Sequence, residues 1–283
     1  MSYSKMTCPY CGVDVPNRVD MPTRTYVDRF TCSTCGETTL REELVKESRF
    51  SLLRGGGAPS TAPPTPPPVH VPIGRTARGA GNGATTDGSG LFQIAANITV
   101  GATGSTLVVM FARNENGGAV IGMTWAGIPM SEKAVATSSS FIVLSCFVLE
   151  NATAGTDFLV VDDSLGAVTS YLYTATEVTA PAVASFDKKA SATGTGTAPS
   201  SGNTPATTQA AELLVGGIWR SNATINGTLQ GSFTQGQTTT RAAPGNSLEE
   251  VYRIVSATGT YAAAKTGSTS AVWAAVLATF KEN

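Results

Sequence analysis

Two cysteine pairs, Cys8-Pro-Tyr-Cys11-Gly and Cys32-Ser-Thr-Cys35-Gly, constrain the start of this chain more tightly than any other feature. A Cys-x2-Cys pair lets two thiolates grip one ion from a tight turn, and the following glycine lets the backbone fold over the sulfurs. Two such knuckles complete a tetrahedral four-sulfur shell that suits zinc. A closed shell leaves no position for water or substrate, so the expected metal is a structural zinc on Cys8, Cys11, Cys32 and Cys35. An iron site would use similar knuckles, but nothing else in the chain suits redox work. Two disulfides would require an oxidising compartment. Met1 to Lys5, however, lead into the first knuckle without the apolar run of a secretory leader.

The pairs also separate a small metal-stapled head from the rest of the chain. The 283 residues allow two domains and a sizeable core. Three parts are expected. Residues 1–54 form a zinc ribbon, with residues 24–30 as its clearest strand. The capping box Thr39-Leu-Arg-Glu42 then opens a helix that Gly55-Gly-Gly57 ends. Residues 55–78 hold Ala58-Pro-Ser-Thr-Ala-Pro-Pro-Thr-Pro-Pro-Pro-Val-His-Val-Pro72, too rich in proline for a helix or a central strand. This segment reads as a polyproline II spacer, extended at about 3.1 Å per residue, in preference to an SH3 ligand. His70, the single histidine, lies there, which removes most histidine-dependent catalysis.

Residues 79–283 read as all β. Strand-like runs rich in Val, Ile, Thr and aromatics fall at 91–100, 105–113, 120–125, 140–150, 156–162, 168–178, 212–220, 231–241, 249–256 and 270–281. Leu107-Val-Val-Met-Phe111 and residues 141–149 are apolar on both faces, so those strands should be central. Residues 251–255 are mixed and belong nearer an edge. The last run, 271–280, is so apolar that it must lie inside a sheet or at an oligomer interface. The expected fold is mainly β: two packed antiparallel sheets in a jelly-roll-like β-sandwich behind the small zinc-ribbon head.

Other candidate sites weigh little. Asp162-Asp163, Glu249-Glu250 and Asp187 could serve acid–base work or calcium, but no histidine or motif accompanies them. Gly79-Ala-Gly-Asn-Gly83 and Gly194-Thr-Gly196 do not join a strand to a helix, so they read as flexible connections and not phosphate loops. Four Asn-x-Thr sequons are expected by chance in a Thr-rich chain. Cys146 reads as a reduced core thiol. No apolar stretch approaches the roughly 20 residues of a membrane span. The head carries eight basic and seven acidic side chains, a difference of +1. So weak an excess gives little attraction to phosphate, even with Arg18, Arg24, Arg29, Tyr26 and Phe30 close in sequence. A protein-docking head is preferred over a nucleic-acid one.

The order of body motifs resembles a known family. It runs through Ser105-Thr-Leu-Val-Val-Met-Phe-Ala and Met123-Thr-Trp-Ala-Gly-Ile-Pro-Met130 to Leu149-Glu-Asn-Ala-Thr-Ala-Gly-Thr156. Glu212-Leu-Leu-Val-Gly-Gly-Ile-Trp219 and Trp273-Ala-Ala-Val-Leu-Ala-Thr-Phe-Lys281 come next. The body is similar over most of 91–281 to a sandwich module of tailed-bacteriophage structural proteins, of head-decoration and fibre type. The resemblance implies a non-enzymatic virion component, assembled in a reducing host cytoplasm and placed on the capsid surface. The expected role is capsid decoration or cement, with the major capsid protein as partner and no membrane partner. Only 14% of residues are charged, against roughly a quarter in average proteins. That low charge and the apolar last strand suit a symmetric homo-oligomer such as a trimer. The alternative is a tail or fibre adhesin that binds host-surface glycan, with Trp125 and Trp219 as candidate platforms if exposed, although both read better as core residues.

Overall fold

The computed structural model describes residues 71–84, 90–115, 122–138, 142–163, 168–222, 224–242 and 245–283, with four short strands nearer the N-terminus. The chain divides into two compact units, Met1–Pro68 and Val69–Asn283.

In the first unit, β1 (Met6–Thr7) pairs antiparallel with β2 (Asp14–Val15), and β3 (Arg29–Thr31) with β4 (Thr38–Leu40). Thr7 faces Asp14 and Thr31 faces Thr38 in the register, so each pairing encloses one Cys-x2-Cys motif in the sequence. Cys8, Cys11, Cys32 and Cys35 themselves lie outside the described residues. Leu40, expected in the first turn of a helix, belongs instead to β4, because it pairs with Arg29. The remainder of the expected helix, at 41–53, lies outside the described residues, as do 24–28 of the expected strand and His70.

The second unit is built from antiparallel sheets, and no helix occurs among the described residues. A middle sheet runs in the order β10 (Ser131–Thr137), β11 (Ile142–Ala152), β7 (Ser105–Glu115), β13 (Val168–Thr179), β5 (Gly74–Ala84). A front sheet runs β6 (Gly90–Val100), β12 (Gly155–Asp163), β8 (Gly122–Trp125), β9 (Ile128–Pro129). A back sheet runs β14 (Pro181–Gly196), β20 (Ala271–Glu282), β15 (Ala211–Arg220), β18 (Asn246–Ser256), β17 (Thr234–Arg241). The short pair β16 (Thr228–Leu229) and β19 (Lys265–Thr266) completes the unit.

The expected two sheets are therefore three, and β7 shows why. Successive side chains of a strand point to opposite faces. Leu107, Val109 and Phe111 enter a core shared with Ile94, Ile98, Trp125 and Leu159 of the front sheet. Val108, Met110 and Ala112 enter a second core with Leu213, Trp219, Val276 and Phe280 of the back sheet. A strand apolar on both faces needs a sheet on each side, so the middle sheet is sandwiched. A third, smaller core of Leu214, Ile218, Val251, Val255 and Leu277 lies on the far face of the back sheet. The last strand, β20, is interior as expected, flanked by β14 and β15.

Three long strands escape the local pattern: β5, β10 and β14. β5 begins at Gly74, inside the expected linker, and contains the glycine run read as flexible. Tyr173 and Tyr171 explain it. A Cβ on Gly81 would approach the Tyr173 ring to 2.8 Å, and one on Gly83 would overlap the Tyr171 ring. The glycines are there so that two buried rings can cross the strand. Gly194 and Gly196 likewise end β14 and form no loop, and the ring of Trp273 occupies the space beside Gly194. The body thus starts near Ile73, which is buried and donates its N–H to Glu282 Oε1 at 2.6 Å.

Candidate functional site

The back sheet's far face carries an unusual strap. Residues 197–209 form no regular strand and run antiparallel to 259–268, a segment that includes the short β19. Ser201, Thr204 and Thr207 donate their N–H groups to the carbonyls of Ala263, Tyr261 and Gly259 at 2.8–2.9 Å. In return the N–H groups of Ala263, Tyr261 and Gly259 donate to the hydroxyls of Ser201, Thr204 and Thr207 at 3.0–3.2 Å. Those three residues are buried, and the pairs of residues between them are exposed. A three-residue period is that of an extended polyproline-type helix, whose backbone forms no internal bonds. From Ser201 to Thr207 the hydroxyls accept these bonds, whereas nearer the start of the strap the carbonyls of Pro199 and Thr197 accept the N–H groups of Lys265 and Ser268. Tyr261 and Ala263 then roof the third core.

The strap ends on two carboxyl groups. Thr208 donates its N–H to Asp187 Oδ2 and its hydroxyl to Asp187 Oδ1, both at 2.7 Å. Gln209 donates its N–H to Glu212 Oε1 at 3.3 Å and its side-chain amide to the Glu282 carbonyl at 2.9 Å. Glu212 is fully buried, and its Oε2 has no hydrogen-bond donor. Burial pushes the Glu212 carboxyl up to about 7; Thr279 opposes this, Asp187 adds to it, and the Gln209 N–H opposes it. Burial also raises Asp187, but hydrogen bonds from Thr208, Glu212 and Lys188 outweigh that and hold it below the usual carboxylate range.

Other buried charges serve the joints between sheets. Glu250 accepts from Arg75 Nε at 2.6 Å, from the Thr176 hydroxyl at 2.8 Å and from Gln237 Nε2 at 3.2 Å. That network joins β5 and β13 of the middle sheet to β17 and β18 of the back sheet. Glu177 is fully buried, where it takes the Arg78 guanidinium and the N–H groups of Gly101 and Ala102. Burial raises its carboxyl, but hydrogen bonds from Ser105, Gly101, Arg78 and Ala102 hold it below the usual range. Glu249 pairs with Lys265 at 2.7 Å, both buried.

The sequence-level candidates are thus dispersed. Asp162 and Asp163 point to opposite faces of β12, and Asp163 accepts the Val168 N–H at 2.8 Å. Glu249 and Glu250 likewise face apart, each in its own ion pair. Among the described residues no three His, Cys, Asp or Glu side chains gather as metal ligands. Trp125 and Trp219 are buried at 2% and 1% exposure. Trp125 Nε1 donates to the Ile98 carbonyl, so neither indole offers a glycan platform. Cys146 is buried, and burial, then Glu132, push its thiol up to about 12 against a smaller opposing effect of Lys133. Sequence reasoning missed Glu177 and Glu212. Their signal was a lone acid inside otherwise buried strand positions.

Among the described residues no other sheet covers the outer face of the front sheet. It presents Leu91, Gln93, Asn97, Thr99, Thr156 and Phe158, with the Thr99 and Thr156 hydroxyls 2.7 Å apart. Its strands contain no lysine or arginine, so it has no cation for phosphate. Among the described residues β6 pairs only with β12 and forms an edge of the sheet, on which Leu91 is 71% exposed. No family model matches the chain, and no curated protein or solved structure matches it.

Proposed function

We propose that this chain is a non-enzymatic structural protein of a tailed-bacteriophage virion, a decoration or cement protein on the capsid surface. The strand order is the observation that carries the reading. Counted from β5 as first, the middle sheet runs first, eighth, third, sixth, and the front sheet second, seventh, fourth, fifth. The fifth strand is split: β9 stays beside β8, and β10 crosses to pair with β11. This is the order of the eight-stranded jelly roll, an architecture common to viral capsid and lectin domains. The back sheet is an addition to it. Architecture hosts many functions, so the surface must supply the rest.

That surface is poor in charge and has an open β-edge, because Glu177, Glu212, Arg220, Glu249, Glu250 and Lys265 are all turned inward. The mechanism is mechanical. The β6 edge and the front face, around Leu91 and Phe158, add interface between neighbouring subunits of the major capsid protein. Repetition over the lattice multiplies a modest energy per copy. A symmetric homo-oligomer would present several such edges together. The N-terminal unit would bind one structural zinc through Cys8, Cys11, Cys32 and Cys35. The support is that β1–β2 and β3–β4 flank the two knuckles at the same spacing.

The test is removal of the protein from virions. A decoration protein adds interface to an existing shell. Particles lacking it should assemble at normal size and burst at lower temperature, and added protein should restore them. Sturdy particles that fail to adsorb to cells would overturn this in favour of a glycan-binding adhesin. Loss of all particles would reject both.

A further inference from the structure

We propose that Asp187 and Glu212 share one proton and act as a pH-sensitive latch that holds the end of the 197–209 strap on the back sheet. The geometry carries this. Both carboxyl groups bind consecutive strap residues, Thr208 and Gln209. Glu212 Oε2 is fully buried and has no donor, a costly state for a carboxylate oxygen. If Oε2 carries a proton and donates it to Asp187, the orphan is satisfied and the two acids no longer repel.

The neighbours support one ionised acid, not two. On β14, Lys188 Nζ lies 3.3 Å from Asp187 Oδ1. On β20, Thr279 and Lys281 share the face of Glu212, with Lys281 opposite it in the register, while the Glu282 carboxylate is occupied by the Ile73 N–H. On β18, the residue opposite Glu212 is Val255. Strap residues 204–209 contribute no ionisable group.

The direction is set by linkage. Glu212 is raised in the folded chain from 4.5 to about 7. The stability it contributes is fully present below its unfolded value and is lost as pH rises through about 7. Above that, two buried carboxylates face each other at the strap's anchor, and the segment from Thr204 to Gln209 should open.

Amide hydrogen exchange on the full chain, corrected for intrinsic base catalysis, tests this. Protection at Thr208 and Gln209 should fall about tenfold between pH 6 and pH 8.5, with Val109 unchanged. Glu212→Gln should abolish that step and keep the protection high. A step that persists in Glu212→Gln, or no step in the parent chain, overturns the latch. Should Glu212→Gln not fold, carbon-13 titration of the Glu212 carboxyl in the parent chain decides. Titration near neutrality upholds the shared proton, and titration in the usual carboxylate range overturns it.

Discussion

Replacing Glu250 tests whether the middle and back sheets form one cooperative body. Glu250 is 1% exposed and accepts from Arg75, Thr176 and Gln237. Its removal leaves the Arg75 guanidinium facing an apolar gap, and Arg75 Nη2 already lacks a partner. Thr176, itself 1% exposed, loses its acceptor as well. Breaking a buried ion pair from one side costs about 3–5 kcal/mol. Glu250→Gln keeps the shape and loses only the charge, for about 1.5–3 kcal/mol. At about 2–4 °C per kcal/mol for a body of this size, Glu250→Ala should lower Tm by roughly 6–20 °C. Replacing both partners, Arg75→Met with Glu250→Leu, should recover most of that loss, because no charge is stranded. The cation–π contact of Arg75 with Tyr252, at 4.5 Å, limits the recovery. Thermal and urea unfolding followed by tryptophan fluorescence reads this directly. Trp125 lies in the front core, Trp219 in the core between the middle and back sheets, and Trp273 against the third core. A loss under about 1 kcal/mol for Glu250→Ala would refute the reasoning. So would a double variant less stable than Glu250→Ala.

Three further outcomes are expected. Cys146, with its thiol near 12, should stay unlabelled by a maleimide at pH 8 when labelling is mapped by mass spectrometry; labelling at the rate of the unfolded chain would contradict its burial. A chain of residues 71–283 should keep the tryptophan melting curve of the full chain. One of 79–283, without Ile73, Arg75 and Arg78, should lose several kcal/mol; equal stability would remove β5 from the fold. Elemental analysis should find about one zinc per chain. Cys11→Ser should lose it without moving the tryptophan transition, and full zinc retention would sink the assignment.

The β class of the body was legible because side-chain alternation is local. Residues 105–113 and 140–150 overlap β7 and β11, and 270–281 matches β20, since period-two apolar patterning is written within a strand. The two-face apolarity of Leu107-Val-Val-Met-Phe111 already implied cover on both sides, although only the tertiary structure supplied the third sheet. Trp125 and Trp219 were legible as core for the same reason.

What the sequence by itself determined is therefore the class of the body and the inventory of its apolar faces. The tertiary structure decided everything that depends on a distant partner. Gly74–Ala84 reads locally as a flexible tail, yet it is a strand, because Tyr171 and Tyr173 need glycines to cross. Glu249 and Glu250 read as an acidic pair, but pleating sends them to Lys265 on one side and Arg75 on the other. Asp187 and Glu212 meet because β14 and β15 flank β20, a neighbourhood set by long-range pairing. Their chemistry arises from burial and proximity, neither of which a one-dimensional pattern encodes.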